Sequence, residues 1–287
     1  DYFWGYAMIF PLMAGIAVFY IYPIFRSIWM SFYEVGAFNK MKWAGAANYI
    51  RLFHDPLFAD SFWNTIQYVV LTVPVGIALA VFLAALLNNK ISGVSFYRTI
   101  YFLPSVTMAA AVAMVWKWLY NGDYGLINAC LAKFGITGTN WLSNPDTAMG
   151  AIALVGIWSM VGYNMIILLA GMQGISRTYY EAAAIDGAGP VKQFCSITVP
   201  LLSPTIFFVM ITSLIRGFQV FDTIFMMVKK TSPAFESTQT LVMMFYRNAF
   251  DYSDKGYASA IGNMIFVIIM LITAVQMVLQ KKWVHYD

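Results

Sequence analysis

The chain has 287 residues, of which 61% are hydrophobic and only 10% are charged. A soluble domain carries about 25% charged residues, so 17 basic and 13 acidic side chains cannot cover a water-soluble surface of this size. The same numbers exclude intrinsic disorder, and two cysteines exclude a disulfide-rich scaffold. The Lys and Arg residues are scattered singly, so the net charge of +4 does not indicate nucleic-acid binding. The composition therefore predicts an all-α, polytopic membrane protein.

Six charge-free segments are candidates for membrane-spanning helices, because a spanning helix needs about 20 apolar residues. They are Tyr2–Phe25, Ser61–Asn89, Thr99–Trp116, Thr147–Ser176, Gln193–Ile215 and Gly256–Gln280. A seventh apolar stretch, Gly217–Val228, is too short to span and contains Asp222, so we interpret it as the end of the fifth span or a re-entrant segment. Cys130 and Cys195 follow different spans and are expected to be free thiols on opposite faces of the membrane.

The sequence lacks the motifs of an enzyme or of a self-sufficient transporter. Two His and two Cys residues lie far apart, which predicts no metal site, and no GxxxxGK[ST] loop or GxSxG elbow occurs. No pair of carboxylates lies inside a span, where proton- and sodium-driven transporters usually keep ionisable groups. A secondary transporter or channel is therefore the weaker alternative, and a membrane enzyme is weaker still. The chain is expected to carry no cofactor and to receive its energy from a partner.

The loop between the fourth and fifth spans, residues 177–200, has a distinct pattern. Tyr180–Asp186 predicts a short helix of strong helix formers, Gly187 and Gly189 end it, and Pro190 suits the first turn of a second helix. Two short helices joined by glycines form a stiff knob that could seat in a partner's groove. An ordinary amphipathic loop with weak surface ion pairs is the alternative that these residues leave open.

This loop resembles the EAA loop of binding-protein-dependent ABC importer permeases, in which Glu-Ala-Ala is followed by Gly and then by Ile-x-Leu-Pro at fixed spacing. The matching residues are Glu181, Ala182, Ala183, Gly187, Ile197 and Pro200, with Val199 replacing the usual Leu.

The resemblance extends along the whole chain to carbohydrate-type permeases related to the maltose and glycerol-phosphate importers. It is carried by Tyr22-Pro23, Gly45–Phe58, Asn64-Thr65, Leu103-Pro104 and Gly256–Ala260. One departure is Lys229–Pro233, which stands where that family commonly has a Gly-Gly-Pro turn.

The resemblance implies a type I ABC importer permease fold with six transmembrane helices. Residues 1–60 would form the first helix and a periplasmic loop, and residues 61–287 the transporter core. The EAA loop and both termini would lie in the cytoplasm of a bacterium, at its inner membrane. Implied partners are a second, homologous permease, two ATPase subunits that bind ATP and Mg²⁺, a periplasmic or extracellular solute-binding protein, and a carbohydrate substrate.

The residues that the resemblance assigns to ATPase coupling all lie in the EAA loop. They are Glu181, Ala182, Ala183, Asp186, Gly187, Gly189, Ile197 and Pro200. We expect Glu181 near the start of the first short helix, where the helix dipole favours a carboxylate.

A sugar pathway needs hydrogen-bonding groups and aromatic faces inside the membrane. The candidates on the spans are Asn64, Gln67, Tyr68, Tyr163, Asn164, Ser213, Arg216, Gln219 and Asn263. The alternative is that these side chains bond neighbouring helices, which is common for polar residues in spans. The family's substrate contacts cluster on the spans beside the EAA loop, which favours Tyr163, Ser213 and their neighbours.

Arg216 is the most informative of these candidates. It lies 16 residues beyond Pro200, about 24 Å along a helix, in the outer half of the bilayer or at its boundary. There it could extend to lipid headgroups, pair with Asp222, or face a wet pathway. With Lys229 and Lys230 it could attract an acidic substrate such as an alginate-type uronate oligosaccharide, although those lysines could also contact an acidic binding protein.

Overall fold

The structure is a computed structural model that describes residues 2–35, 40–89 and 92–285. In chain order the helices are α1 (Tyr2–Met30), α2 (Ala47–His54), α3 (Pro56–Leu87), α4 (Val94–Val106), α5 (Ala109–Leu119), α6 (Leu126–Lys133), α7 (Pro145–Gln173), α8 (Arg177–Ile185), α9 (Pro190–Leu201), α10 (Ser203–Phe218), α11 (Asp222–Met227), α12 (Phe235–Thr238), α13 (Leu241–Tyr246) and α14 (Lys255–Lys282). Two short strands, β1 (Tyr33–Val35) and β2 (Met41–Trp43), form an antiparallel hairpin in which Tyr33 faces Trp43.

The chain divides into two compact units. One comprises Asp1–Ala59 with Leu241–Ile268, and the other Asp60–Thr240 with Ile269–Asp287. The sequence-based division into residues 1–60 and 61–287 stays a prediction.

Within the described residues, four helices are long and apolar enough to cross a membrane: α1, α3, α7 and α14. The third and fifth predicted spans are instead broken, with angles of 98° between α4 and α5 and 66° between α9 and α10. Counting each bent pair as one span, length and composition give the six spans that the sequence predicts. Hydrophobic runs could not reveal the breaks, because an apolar segment keeps its composition when its axis turns. The first break falls at Thr107 and Met108, three and four residues after Pro104, and the backbone of Thr107 is extended.

The stretch Gly217–Val228 does not continue the fifth span as a single helix. α10 ends at Phe218, and the six-residue α11 follows as a separate helix in contact with α5 and α7. The Lys117 ammonium donates to the Met226 carbonyl oxygen at 3.4 Å, which ties α11 to α5.

The core of the second unit is built on close approach between helices. Buried Ala80 and Ala84 of α3 pack in one cluster with Met165 and Leu168 of α7. A methyl group on Gly162 of α7 would overlap the backbone of α4. Small residues at helix contacts are typical of membrane proteins. The hydrophobic effect does not drive helices together in lipid, so close packing between helices must hold them together.

In the first unit, no residue of α1 between Tyr2 and Ile16 is buried, whereas the start of α14 is held tightly. The Arg51 guanidinium pairs with the Asp254 carboxylate at 2.7 Å and lies 3.8 Å from the centre of the Tyr257 ring. The Tyr257 hydroxyl donates to the Asp55 carboxylate at 2.7 Å. These bonds connect α2 and the residue after it to the first turn of α14.

Cys130 and Cys195 are both free, as the sequence predicts, and both are exposed. Their location on opposite faces of the membrane stays a prediction.

Candidate functional site

The knob predicted between the fourth and fifth spans is present as two short helices, α8 and α9. α8 begins at Arg177, three residues before the predicted start, because the Ser176 side chain accepts a hydrogen bond from the Thr178 amide at 3.4 Å and caps the helix. Glu181 therefore lies beyond the first turn of α8. The prediction that Glu181 benefits from the helix dipole is wrong, because that effect fades within the first turn.

Gly187 makes the turn that reverses the chain after α8. Its φ of +76° is left-handed, its amide donates to the Ala184 carbonyl at 3.1 Å, and the Ala188 amide donates to the Ala183 carbonyl at 2.9 Å. This is the Schellman arrangement that ends many helices and favours glycine. Gly189, by contrast, has an ordinary φ of −70° and precedes Pro190 at the first position of α9.

Side-chain bonds hold the two short helices together. The hydroxyls of Tyr180 and Thr198 share a hydrogen bond of 3.0 Å, and the Gln193 amide donates to the Ala188 carbonyl at 2.9 Å. The knob is thus a cross-braced element rather than a flexible linker.

The knob presents an apolar tip and a polar flank to its surroundings. Ile185 and Val191 form the tip, and they are 87% and 77% exposed. Glu181, Ala182, Asp186, Gly187 and Gly189 are exposed, while Ala183, Ile197 and Pro200 are half-buried. Among the described residues no ion pair joins Arg177 to Glu181. An open groove of about 770 Å³ runs between the knob and the end of α3.

A second candidate site is a cavity of about 450 Å³ at the break between α4 and α5. Its lining includes Tyr68, Tyr163 and Arg216, together with the chain around Thr107 where the helix is interrupted. Non-helical backbone at membrane depth is tolerated where it lines a polar or water-filled cavity. The cavity therefore accounts for how the non-helical backbone at the break is accommodated.

Arg216 lies with its guanidinium carbon 4.5 Å from the centre of the Tyr163 ring. No ion pair joins Arg216 to Asp222 within the part of the chain that the structure describes, so one of the sequence-based alternatives does not apply. A cation over an aromatic face keeps its charge available to a third group. The structure thus brings two of the predicted pathway residues, Tyr163 and Arg216, into contact in one cavity.

Asn164 and Ser213 are near this cavity, but their side chains form a hydrogen bond with each other. The Asn164 amide donates to the Ser213 hydroxyl at 3.0 Å, and both residues are buried. This bond links α7 to α10 and matches the helix-bonding alternative for polar residues in spans. Both also line a smaller adjoining void of about 80 Å³.

The remaining pathway candidates lie elsewhere. Gln219 is exposed after the end of α10, and Asn64 donates to the carbonyls of Glu236 and Gln239 at 2.8 and 3.0 Å. Asn263 belongs to the other unit, where it donates to the Tyr49 hydroxyl at 3.2 Å. Sequence reasoning missed Ser105 and Thr107, which line the cavity. The signal that could have found them is the Pro104-Ser-Val-Thr run, where a proline and two hydroxyls interrupt an apolar span.

These features define a class: a polytopic helical membrane transport protein with an interrupted helix at a polar cavity and a rigid knob between two spans. Residues 58–285 match the family described as binding-protein-dependent transport system inner membrane component. The chain is 35% identical over 286 residues to the probable ABC transporter permease protein YesP of Bacillus subtilis (strain 168), covering 99% of this chain and 92% of that one. It is 36% identical over 276 residues to the lactose transport system permease protein LacF of Rhizobium radiobacter, covering 95% and 92%.

The fold has a counterpart among solved structures. A chain of a bacterial alginate ABC transporter, crystallised with an alginate pentasaccharide-bound periplasmic protein, superposes with a TM-score of 0.88 at 22% identity, covering 98% of this chain and 94% of that one. This protein belongs to the binding-protein-dependent transport system inner membrane component family. It is a multi-pass permease subunit of an ABC importer with the type I fold, and not itself an enzyme. The family resemblance predicted from the sequence is confirmed.

Proposed function

We propose that this chain is one of two related permeases in an ABC importer that moves a carbohydrate delivered by a solute-binding protein. Two ATPase subunits would bind ATP and Mg²⁺ and supply the energy. The knob formed by α8, Gly187 and α9 carries the proposal, because a transporter that hydrolyses ATP itself or uses an ion gradient needs no such docking element. The carbohydrate class is supported by the lactose transport permease among the relatives.

In this proposal the knob and both termini lie on the cytoplasmic side, where the ATPase subunits close around ATP. The exposed tip at Ile185 and Val191 would sit in a cleft of one ATPase subunit and move with it. α7 leads into the knob, and the knob leads through α9 into α10. α7 and α10 also carry two residues that line the cavity, Tyr163 and Arg216 respectively. Motion of the knob would therefore reshape the cavity and switch its access between the two sides.

Glu181→Lys tests the docking role. Because Glu181 is exposed and forms no ion pair among the described residues, we expect the variant to fold and insert normally. Reversing the charge at the interface should leave ATP hydrolysis in the complex but abolish most sugar uptake. Both rates are measured in proteoliposomes containing the permease pair, the ATPase and the binding protein.

The matched control for this charge reversal is Asp123→Lys, at an exposed turn outside the knob. It should leave both rates unchanged. Normal uptake by Glu181→Lys would contradict docking through the knob. Uptake driven by an ion gradient without ATP or ATPase subunits would instead favour the secondary-transporter alternative.

We further propose that the carbohydrate is acidic, such as a uronate oligosaccharide. Arg216 lines the cavity with its guanidinium over the Tyr163 ring. Among the described residues that line the cavity, Arg216 is the one with a charged side chain. Lys229 and Lys230 are exposed after α11 and add positive charge. Another solved structure with the same fold is of a bacterial ABC transporter involved in the import of the acidic polysaccharide alginate, and this substrate class is therefore a concrete one to assay.

Arg216→Ala tests the acidic-substrate proposal. A hydrogen bond to a charged group contributes about 1.5–3 kcal/mol, so we expect stimulation of ATPase activity by uronate oligosaccharides to fall about tenfold or more. Stimulation by neutral oligosaccharides should change little. The control is Arg247→Ala, which removes a guanidinium 5.5 Å from the Tyr252 ring in the other unit. Equal responses of acidic and neutral sugars to Arg216→Ala would refute the proposal.

A further inference from the structure

The open groove between the knob and the end of α3 lies where two membrane-spanning helices end. α3 ends at Leu87 and α7 at Gln173, and residues close to both ends line the groove. The last turns of α3 contribute the apolar side chains of Phe82 and Leu86, which are 58% and 45% exposed. These two residues are four apart and so share one face of the helix. The groove is therefore apolar where it borders the span and polar beyond the end of the span.

The polar side chains of the groove fall into two groups. One group is already hydrogen-bonded within the protein: Asn89, Tyr180, Gln193 and Thr198. The other group forms no side-chain hydrogen bond or ion pair with any residue that the structure describes: Asn88, Gln173, Arg177 and Glu181. The second group can therefore bind a ligand without breaking a bond of the fold.

Arg177 and Glu181 bring opposite charges into the groove. They lie four residues apart on α8, about 6 Å along its axis, a spacing at which side chains of opposite charge often pair. Both are exposed and line the groove, yet no ion pair joins them in the described part of the chain. A ligand that complements this arrangement carries an anion and a cation close together, next to an apolar chain.

We propose that the groove binds a phospholipid with an ethanolamine headgroup. The phosphate would accept hydrogen bonds from the Arg177 guanidinium and the Asn88 amide, and the ammonium would donate to the Glu181 carboxylate. The acyl chains would lie along Phe82 and Leu86 in the bilayer. A glycerol headgroup has no cation for Glu181, and a choline headgroup has no N–H to donate to it. The inference requires only that the chain spans a membrane, so it does not depend on the proposed function.

Lipid binding by the full chain is the test. The chain, purified in a mild detergent, is titrated with phosphatidylethanolamine, phosphatidylglycerol and phosphatidylcholine that have identical acyl chains, and bound lipid is counted by native mass spectrometry. Because a hydrogen bond between charged groups changes an affinity by about tenfold or more, phosphatidylethanolamine should bind at least about tenfold more tightly than the other two lipids. Equal affinities for the three lipids would overturn the proposal.

Two variants that each remove one charge should change lipid binding in different ways. Arg177→Gln removes the cation that faces the phosphate, so the affinities for all three lipids should fall about tenfold. Glu181→Gln removes only the acceptor of the ammonium, so phosphatidylethanolamine and phosphatidylglycerol should then bind alike. Both side chains are exposed, and we therefore expect both variants to fold. If both variants bind the three lipids as the unaltered chain does, the groove is not the lipid site.

Lys192→Gln is the matched control for the loss of charge. Lys192 is exposed on the same knob, but it is not among the described residues that line the groove. The variant should therefore keep all three affinities of the unaltered chain. A loss of lipid binding as large as that in Arg177→Gln would show that the charge of the knob, and not the groove, attracts the lipid.

Photo-cross-linking from Asn89→p-benzoylphenylalanine identifies the occupant of the groove in native membranes. Asn89 lines the groove, but its amide donates to the carbonyls of Ala85 and Leu86 in its own helix, so its replacement leaves the four unbonded side chains in place. Irradiation should attach phosphatidylethanolamine, which the mass of the cross-linked peptide identifies. Attachment to another lipid class or to a protein segment would overturn the proposal. Neither readout involves transport, so its failure would leave the proposed function standing.

Discussion

Gly162→Ala is expected to disrupt the packing of α4 against α7. It should lower the free energy of unfolding by about 3 kcal/mol or more, the upper part of the usual range for overpacking. The added methyl group would overlap the Tyr101 carbonyl oxygen, and it would lie 2.6 Å from the carbonyl carbon and 3.0 Å from the Phe102 Cα. All three atoms belong to the backbone of α4, so no side-chain rotation can relieve the contact. The measurement is the midpoint of thermal unfolding of the detergent-solubilised protein.

The same change at Gly150 provides the control. Gly150 lies on the same helix, and a methyl group there would have nothing within 4 Å. Since alanine is a better helix former than glycine, Gly150→Ala should be neutral or slightly stabilising. Equal unfolding midpoints for the two variants would show that α4 does not pack on α7 as described.

Gly187→Val is expected to remove coupled transport while sparing insertion into the membrane. Valine at φ +76° is strained, because a β-branched residue in the left-handed region places its Cβ against the backbone. The chain can relax only by changing the turn between α8 and α9, which moves the knob away from its docking geometry. ATP hydrolysis in the complex should continue, and uptake per ATP should fall at least as far as in Glu181→Lys.

A second glycine in the same setting separates strain from function. Gly135 ends α6 with a φ of +74° and the same pair of hydrogen bonds, from its own amide to Ala132 and from Ile136 to Leu131. A methyl group meets nothing within 4 Å at either glycine. Gly135→Val therefore carries the same local strain outside the knob. If both variants lose coupling equally, the effect is one of general stability and not of docking.

The sequence predicts the number of spans and the helix–glycine–helix knob because both depend on local composition. Charge-free runs locate spans, and Gly187 with Pro190 marks the turn between α8 and α9. The start of α8 at Arg177 was missed because Ser176 acts as its cap only once the chain leaves α7 in an extended conformation. Because α8 begins at Arg177, Glu181 lies beyond its first turn, and the predicted stabilisation of Glu181 by the helix dipole does not apply.

Hydrophobic runs did not predict the breaks in the third and fifth spans, although the Pro104-Ser-Val-Thr run signals the first of them. The partners of polar residues could not be predicted, because they depend on contacts between helices distant in sequence. Arg216 was recognised as unusual, but its position over Tyr163 arises from the packing of α10 against α7. The roles assigned to the knob and pathway residues stay predictions until the variants above are measured.

The surface of α1 between Tyr2 and Ile16 has a consequence for how this chain tolerates mutation. Because none of these side chains is buried, the chain itself demands only hydrophobicity from them and no particular shape. If an exchange between Leu, Ile, Val and Phe at a position in this segment impairs transport, that side chain must contact something outside the chain. In a saturation scan of α1, a stripe of intolerant positions would therefore mark a surface that another protein contacts, and uniform tolerance would show that α1 has no such surface.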